Sequence, residues 1–420
     1  MPRVKLINMR RFLFLALALS LALPAFAADS IPLAEYRARR AALQKTLDGT
    51  LVLFGRTEGQ DEVYGFTQEP NFQYLTGWPE PGAILLLTAA RETLFLPHHR
   101  EPVERFAGKR ASAEDRNIAA LAGFSEVLPI EKFESTFDKA LDSEEKAYSL
   151  PAQPALEKLK GRYPLRTFSD AKPMLGKLRI KKSPAEIAAI QHTTDVTVEG
   201  HRAAWKRMAA GLYEYQLAAT VTNVYMENGC ERHAYAPIVG SGFNGTVLHY
   251  SANKRRMDQG EVVVMDTAAE CSGYASDVTR TIPVAGKFTP RQRELYEVVL
   301  GAQKAAIDAI KPGVAMAELT KLARDYMKTH GKDLRGQPLD KYFVHGLGHP
   351  VGLEVHDAGG SPATPLEAGS VITIEPGLYI PEESIGIRIE DVVLVTESGS
   401  RVLSAALPRE PGEIEKALAK

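Results

Sequence analysis

The chain has 420 residues, is 45% hydrophobic and 25% charged, and carries a formal net charge of -1. That length exceeds what one compact core holds and predicts two domains, while the balanced charge excludes nucleic acid as a partner held by bulk basicity. Cys230 and Cys271 are the two cysteines; they are too few for a disulfide framework, their pairing is not readable from sequence, and two free thiols are the expectation.

Arg3, Lys5, Arg10 and Arg11 precede an apolar run from Phe12 to Leu23, which is closed by Pro24 and the small-residue site Ala25-Phe26-Ala27. The run is shorter than the roughly 20 apolar residues that span a bilayer. It predicts a signal peptide over 1–27, no stable membrane anchor after cleavage, and a mature protein exported to a bacterial periplasm or secreted. The Arg10-Arg11 pair is a thin match to a twin-arginine signal.

From Ile31 to about Asp170, helical and apolar-strand patterns alternate: a helix over Ile31–Leu47, then apolar runs at Thr50–Phe54, Ala83–Thr88 and Thr93–Leu96. They predict an α/β domain over 28–172. Asn71-Phe72-Gln73-Tyr74-Leu75-Thr76-Gly77-Trp78 ends at a Gly and a Pro-rich turn, which places Trp78 exposed on a loop. The pair His98-His99 shows no accompanying set of acids and reads as loop chemistry, because a metal site needs a ligand set of sensible geometry.

A second domain, 173–420, opens at Ser183-Pro184-Ala185-Glu186, a capping box with Pro at the first helical position. A helix is predicted from there towards Ala210, burying Ile187, Ile190, Val198, Trp205 and Met208; others follow at Tyr213–Asn228, Pro290–Ile310 and Met316–His330. The Gly-rich Val239–Gly245 does not sit between a strand and a helix, as a dinucleotide loop would. A strand over Thr246–Tyr250 is expected after it, making a tight turn that aims His249.

Gly260 to Thr281 reads as two strands joined by a small-residue turn, with Asp266 and Asp277 directly opposite if Cys271 and Ser272 form the apex. Carboxylates so placed repel unless a cation lies between them. The pattern recurs. Gly369 leads through an apolar strand to Glu375 as Gly260 leads to Asp266, and Glu375 pairs with Glu390 about a centre at Glu382 and Glu383. A duplicated half-domain closing on a shared centre is the architecture this predicts.

Those four acids, with His345, His349 and His356 from H-G-L-G-H-P-V-G-L-E-V-H-D, make a hard-oxygen set with imidazole. It suits a divalent cation such as manganese. Four carboxylates over-neutralise one ion; two ions about 3.5 to 4 Å apart would balance them and acidify a water, which points to hydrolysis.

In the order Asp266, Asp277, His349, Glu375 and Glu390, and in the contexts M-D-T-A-A-E, S-D-V-T-R-T, H-G-L-G-H, I-E-P-G-L-Y and G-I-R-I-E-D, the sequence resembles the pita-bread metallopeptidases. Over most of the mature chain it is similar to the bacterial Xaa-Pro aminopeptidase (aminopeptidase P) type, including N-F-Q-Y-L-T-G-W. The resemblance implies an α+β fold, a pita-bread catalytic domain preceded by a smaller creatinase-like α/β domain. It implies two divalent metal ions, with manganese expected: Asp266 on one, Asp277 and Glu390 bridging both, His349 and Glu375 completing one ligand set each. Glu375 would also shuttle a proton, His249 and His356 would hold substrate and the tetrahedral intermediate, His345 would shape the proline pocket, and Arg388 would steady the ligands. The implied reaction is attack of a metal-bridging hydroxide on the Xaa-Pro amide of peptides, by a homodimer or homotetramer. Prolidases share both domains and are the alternative. Asp357–Pro365 contains no arginine where relatives commonly carry one, which disfavours dipeptides through the loss of a bidentate carboxylate partner. Pro350 stands where relatives often place an aromatic, so the lining of the proline pocket differs.

Overall fold

The computed structural model describes residues 31–59, 65–143 and 146–419; the signal-peptide reading lies outside the described residues. After a helix Leu33–Gln44, the amino-terminal half builds β1 (Thr50–Phe54), β2 (Ile84–Leu87), β3 (Glu92–Leu96), β4 (Val127–Pro129), β5 (Ala147–Ser149) and β6 (Phe168–Asp170) into one sheet ordered β4-β3-β2-β1-β5-β6. Its central strands β1 and β2 are buried throughout because both faces are covered. Leu51, Leu53, Leu85, Leu87, Leu94 and Leu96 face Phe72, Leu75 and Trp78; the alternate residues Val52, Phe54, Ile84, Leu86 and Phe95 face Phe133 and Phe137.

Trp78 is therefore core rather than exposed, at 8%. A helix Pro70–Thr76, capped by the Glu69 carboxylate accepting from the Phe72 N–H, ends at Gly77 in the left-handed region, φ 63°. That turn folds the chain back over the sheet and carries the indole inside.

In the carboxyl-terminal half the helices run Pro184–Arg207, Glu214–Glu227, Pro290–Asp308 and Met316–His330, close to their predicted bounds. The capping box forms as expected: Ser183 Oγ accepts from the Glu186 N–H at 3.1 Å, and Glu186 Oε2 accepts from the Ser183 N–H at 3.0 Å. The strands are β7 (Arg232–His233), β8 (Ile238–Ser241), β9 (Val262–Asp266), β10 (Ala269–Cys271), β11 (Tyr274–Ala275), β12 (Thr279–Pro283), β13 (Val371–Ile374), β14 (Gly377–Ile380), β15 (Ile385–Arg388), β16 (Asp391–Val395) and β17 (Ser400–Val402). Both acid-bearing hairpins form, and each breaks partway along. The first splits into β9/β12 and β10/β11, the second into β13/β16 and β14/β15.

The second hairpin keeps its predicted register: Ile374 opposite Asp391 and Gly377 opposite Arg388 bracket Glu375 and Glu390 as partners. The first does not. Cys271 pairs with Tyr274, so Ser272 and Gly273 form the apex, and Asp266 faces Thr279 instead of Asp277. Ser272 and Gly273 both adopt positive φ, as a two-residue hairpin turn requires. Because side chains alternate with a period of two, this two-residue slip leaves Asp277 on the same face as Asp266, as its diagonal neighbour.

Two further expectations are corrected. Residues 246–250 are not a strand: Gly242–Thr246 forms a 3-10 turn directly after β8, with bonds from Val247 N to Asn244 O and from Tyr250 N to Val247 O. Cys230 and Cys271 are not free; they form a disulfide. β7 lies against β10 with Arg232 opposite Glu270, and this pairing, invisible in sequence, sets the two cysteines side by side.

Candidate metal centre

The breaks in the hairpins are where the four acids stand. Asp266 ends β9, Asp277 lies between β11 and β12, Glu375 between β13 and β14, and Glu390 between β15 and β16. Where the first ladder lapses, the buried His201 ring places Nε2 3.2 Å from Thr267 O and 3.1 Å from Val278 O. Burial lowers its pKa to about 4, so the ring is neutral and its N–H donates to the split strands. Gln303, on the helix Pro290–Asp308, does the same for the second hairpin, donating to Ile374 O and Ile389 O at 3.1 Å each, one residue before each glutamate.

The hairpins are joined to each other by Thr279, whose hydroxyl donates to Glu390 Oε2 at 2.7 Å and whose carbonyl accepts from the Glu390 N–H at 3.0 Å. His349 arrives on a loop held against β13: its N–H donates to Thr373 Oγ1 at 3.0 Å and its carbonyl accepts from the Thr373 N–H at 2.8 Å. Gly348 makes this approach possible, because a Cβ there would lie 2.1 Å from Thr373 O.

Asp277, His349 and Glu390 offer ligand atoms all within 4.8 Å of one another, the convergent metal-type group among the described residues. Glu375 Oε1 lies 3.5 Å from His349 Nε2, and Asp277 Oδ2 lies 3.4 Å from it. Asp266 is set slightly apart: its Oδ2 accepts from Arg388 Nη2 at 2.6 Å, and the Tyr235 hydroxyl bridges it to Asp277. Burial and the Asp266 charge push Asp277 well above the usual carboxylate range. Burial and the Asp277 charge do the same to Glu390, and burial with the Glu390 charge raises Glu375 to about 8. Carboxyls crowded in this way ionise together when cations lie between them. Hard oxygens with one imidazole fit divalent metal.

Above the centre is a cavity of about 500 Å³, lined also by His249, His345, His356, Tyr379 and Arg388. His345 Nδ1 lies 2.7 Å from Gly346 O and Nε2 2.8 Å from the Tyr379 hydroxyl, which in turn accepts from Arg388 Nη1 at 2.8 Å. Burial lowers His345 to about 4, so it stays neutral and accepts through Nε2. The His356 ring lies 4.0 Å from that of His349, centroid to centroid, and burial lowers its pKa too. His249 stands exposed at the rim. Every site residue expected from sequence thus borders one cavity.

Tyr235, His201, Gln303 and Thr279 were not found by sequence reasoning, and no local pattern marks them. His98 and His99, read as lacking acids, acquire them by folding: His98 pairs with Glu114 and Glu131 at 2.6 and 2.7 Å, His99 with Glu104 and Asp115 at 2.6 and 3.1 Å. These are separate contacts rather than a shared point.

The family model described as metallopeptidase family M24 matches residues 188–397, and that of the aminopeptidase P N-terminal domain matches 36–148. The Xaa-Pro aminopeptidase of Haemophilus influenzae is 34% identical, over 92% of this chain and 97% of its own length. The Xaa-Pro dipeptidase of Pyrococcus horikoshii is also 34% identical, over 80% of this chain and 91% of its own. Among solved structures, Escherichia coli aminopeptidase P with the inhibitor Pro-Leu superposes with a TM-score of 0.84 at 30% identity, over 93% of this chain and 98% of that one. Sequence, fold and the paired acid hairpins agree: the chain belongs to metallopeptidase family M24 and carries an aminopeptidase P N-terminal domain.

Proposed function

We propose that this protein is a metal-dependent Xaa-Pro aminopeptidase that releases the first residue of peptides with proline second. The observation that carries the reading is the convergence of Asp277, His349 and Glu390, with Asp266 and Glu375 beside them, under a cavity flanked by His249, His345 and His356. Two divalent ions, manganese in our reading, would be held by Asp266, Asp277, His349, Glu375 and Glu390. When bound they supply an acidified water and a polarised scissile carbonyl.

The remaining work belongs to side chains. Glu375, which lines the cavity 3.5 Å from His349 Nε2, is placed to take a proton and to return it to the leaving proline nitrogen. His249 and His356 face the cavity from two sides and are placed to donate to the oxygen on which charge develops. The His345–Tyr379–Arg388 chain fixes one wall, in which the neutral His345 ring offers a surface against which a proline ring can pack.

Cleavage of longer peptides in preference to dipeptides is supported by the commitment of the cavity's arginine. Arg388 is bound to Asp266 and Tyr379 and leaves no guanidinium face to grip a free carboxylate next to the scissile bond. Export is supported by the pattern of residues 1–27 and by the Cys230–Cys271 bond, which persists in an oxidising compartment. Assembly as a homodimer or homotetramer follows from the resemblance and is read by light scattering. The deciding assay compares an Xaa-Pro-Yaa tripeptide with an Xaa-Pro dipeptide in the presence of manganese. Release of the first residue from the tripeptide is expected; failure on both substrates sinks the peptidase reading, and faster dipeptide cleavage makes it a dipeptidase.

A further inference from the structure

The residues that line the catalytic cavity all come from the carboxyl-terminal half, between Tyr235 and Glu390. The amino-terminal domain nevertheless reaches it by a different route. Arg179 and Lys182 are buried cations at the junction of the two halves, and such groups are tolerated only when paired and hydrogen-bonded. Arg179 Nη1 donates to Asn71 Oδ1 at 2.8 Å, in the helix Pro70–Thr76 of the amino-terminal domain. Its Nη2 donates to Glu354 Oε2 at 2.9 Å and also to Asp357 Oδ1. Lys182 Nζ holds the other oxygen of Asp357 at 2.9 Å.

Glu354 and Asp357 bracket Val355 and His356, both of which line the cavity. On its inner side this loop is fixed by the backbone: Val351 N–H to Val371 O at 3.0 Å, Asp357 N–H to Pro350 O at 2.9 Å, and Ala275 N–H to Gly352 O at 2.8 Å. A Cβ at Gly352 would lie 2.2 Å from Asp357 Oδ2, so the carboxylate is pressed against the loop that it closes. On the outer side the loop is held by the two cations.

We propose that Arg179 is a positioning residue for the reaction: with Lys182 it clamps Glu354 and Asp357, and so fixes His356 against His349 on a support anchored through Asn71 in the amino-terminal domain. That domain thereby sets the placement of a substrate-facing histidine without lining the cavity. The inference rests on the peptidase reading for its kinetic arm and stands without it for its structural arm.

The test compares full-length wild type with Arg179→Met, Arg179→Lys and Asn71→Ala. Each is measured for bound manganese, for kcat and KM on an Xaa-Pro-Yaa tripeptide, and for backbone amide exchange by mass spectrometry. Arg179→Met should lower kcat about tenfold or more at unchanged metal content, and should speed exchange in 350–357 while β9 and β12 stay protected. Arg179→Lys should restore part of both, and Asn71→Ala should shift both in the same direction by a smaller factor. Exchange in 350–357 equal to wild type in all variants overturns the proposal, as does acceleration spread evenly over the catalytic half. Should Arg179→Met not fold, wild-type exchange and kcat in the other two overturn it. A wild type that cleaves nothing defeats the peptidase reading instead, and the exchange data alone then judge the clamp.

Discussion

Glu375 shows how burial beside a second carboxylate prepares a group for metal. In the metal-free protein its carboxyl is raised to about 8 by burial and the Glu390 charge, whereas in an unfolded chain a glutamate ionises near about 4.3. Through that window the folded protein holds a proton that the unfolded chain has lost, so stability falls as pH rises. His201, His233 and His345, each lowered to about 4 by burial, act in the opposite sense, but only below about pH 6.5. Between about pH 6.5 and 8 the melting temperature in EDTA should therefore drop, and excess manganese should reverse the trend by binding the ionised folded state. A metal-free melting temperature that holds level or rises there contradicts the buried-acid account.

Tyr235 is the other decisive residue at this scale. Its hydroxyl is shared between Asp266 and Asp277 and fixes their spacing, and burial with the Asp266 charge raises its pKa so far that it remains a donor. Tyr235→Phe should weaken metal binding about 10- to 100-fold in a competitive chelator titration. Asp277→Asn should go further and remove most activity, since Asp277 belongs to the convergent group itself.

At the scale of elements, the hairpins work because they are broken. A continuous antiparallel ladder would hold every residue in register and hide the acids among strand side chains; the gaps free them, and His201, Gln303 and the Thr279 carbonyl bind backbone groups left by the lapse. The Cys230–Cys271 bond secures the tip of the first hairpin to the segment after helix Glu214–Glu227, closing a loop of 41 residues in sequence separation. A loop of this length contributes about 2–4 kcal/mol. The double variant Cys230→Ser, Cys271→Ser should lose that much in denaturant unfolding, and a reductant should then leave its midpoint unchanged while lowering that of wild type. Equal midpoints for the oxidised wild type and the double variant would rule out a stabilising bond. Arg280 is fully buried with Asp391 at 2.7 Å: Arg280→Met leaves that buried carboxylate with only the more distant Arg409 cation, at 3.4 Å, and should cost about 3 kcal/mol.

Across the whole molecule the two halves are not independent. Ile31 and Tyr36, from the amino-terminal end, pack into the catalytic core, while Leu175 and Leu353 pack against the amino-terminal one. Arg39 binds Glu186 at 3.2 Å across the junction, beside a bond from Ser183 Oγ to Glu35 Oε1 at 2.6 Å. Calorimetry on the metal-loaded protein should show one cooperative transition, and a fragment beginning at residue 181 should expose apolar surface and aggregate. Two well-separated transitions would show that these contacts do not couple the domains.

Much of this was legible in sequence because it is local. Periodicity and the Ser183 cap placed the long helices; the glycine-to-acid repeat located both hairpins, and the contexts of Asp266, Asp277, His349, Glu375 and Glu390 identified the centre. Parity even kept Asp266 and Asp277 on one face when the turn slipped from Cys271-Ser272 to Ser272-Gly273. What sequence could not supply depends on pairing between distant segments. The neighbours of Cys230, the burial of Trp78, the reach of Glu114, Asp115 and Glu131 to His98 and His99, and the hold of Tyr235 on two aspartates are contacts between residues that no short-range pattern relates. The residues that gather at the centre stand at places that local sequence marks, whereas the spacing between them was decided by tertiary packing, because it depends on contacts between distant segments.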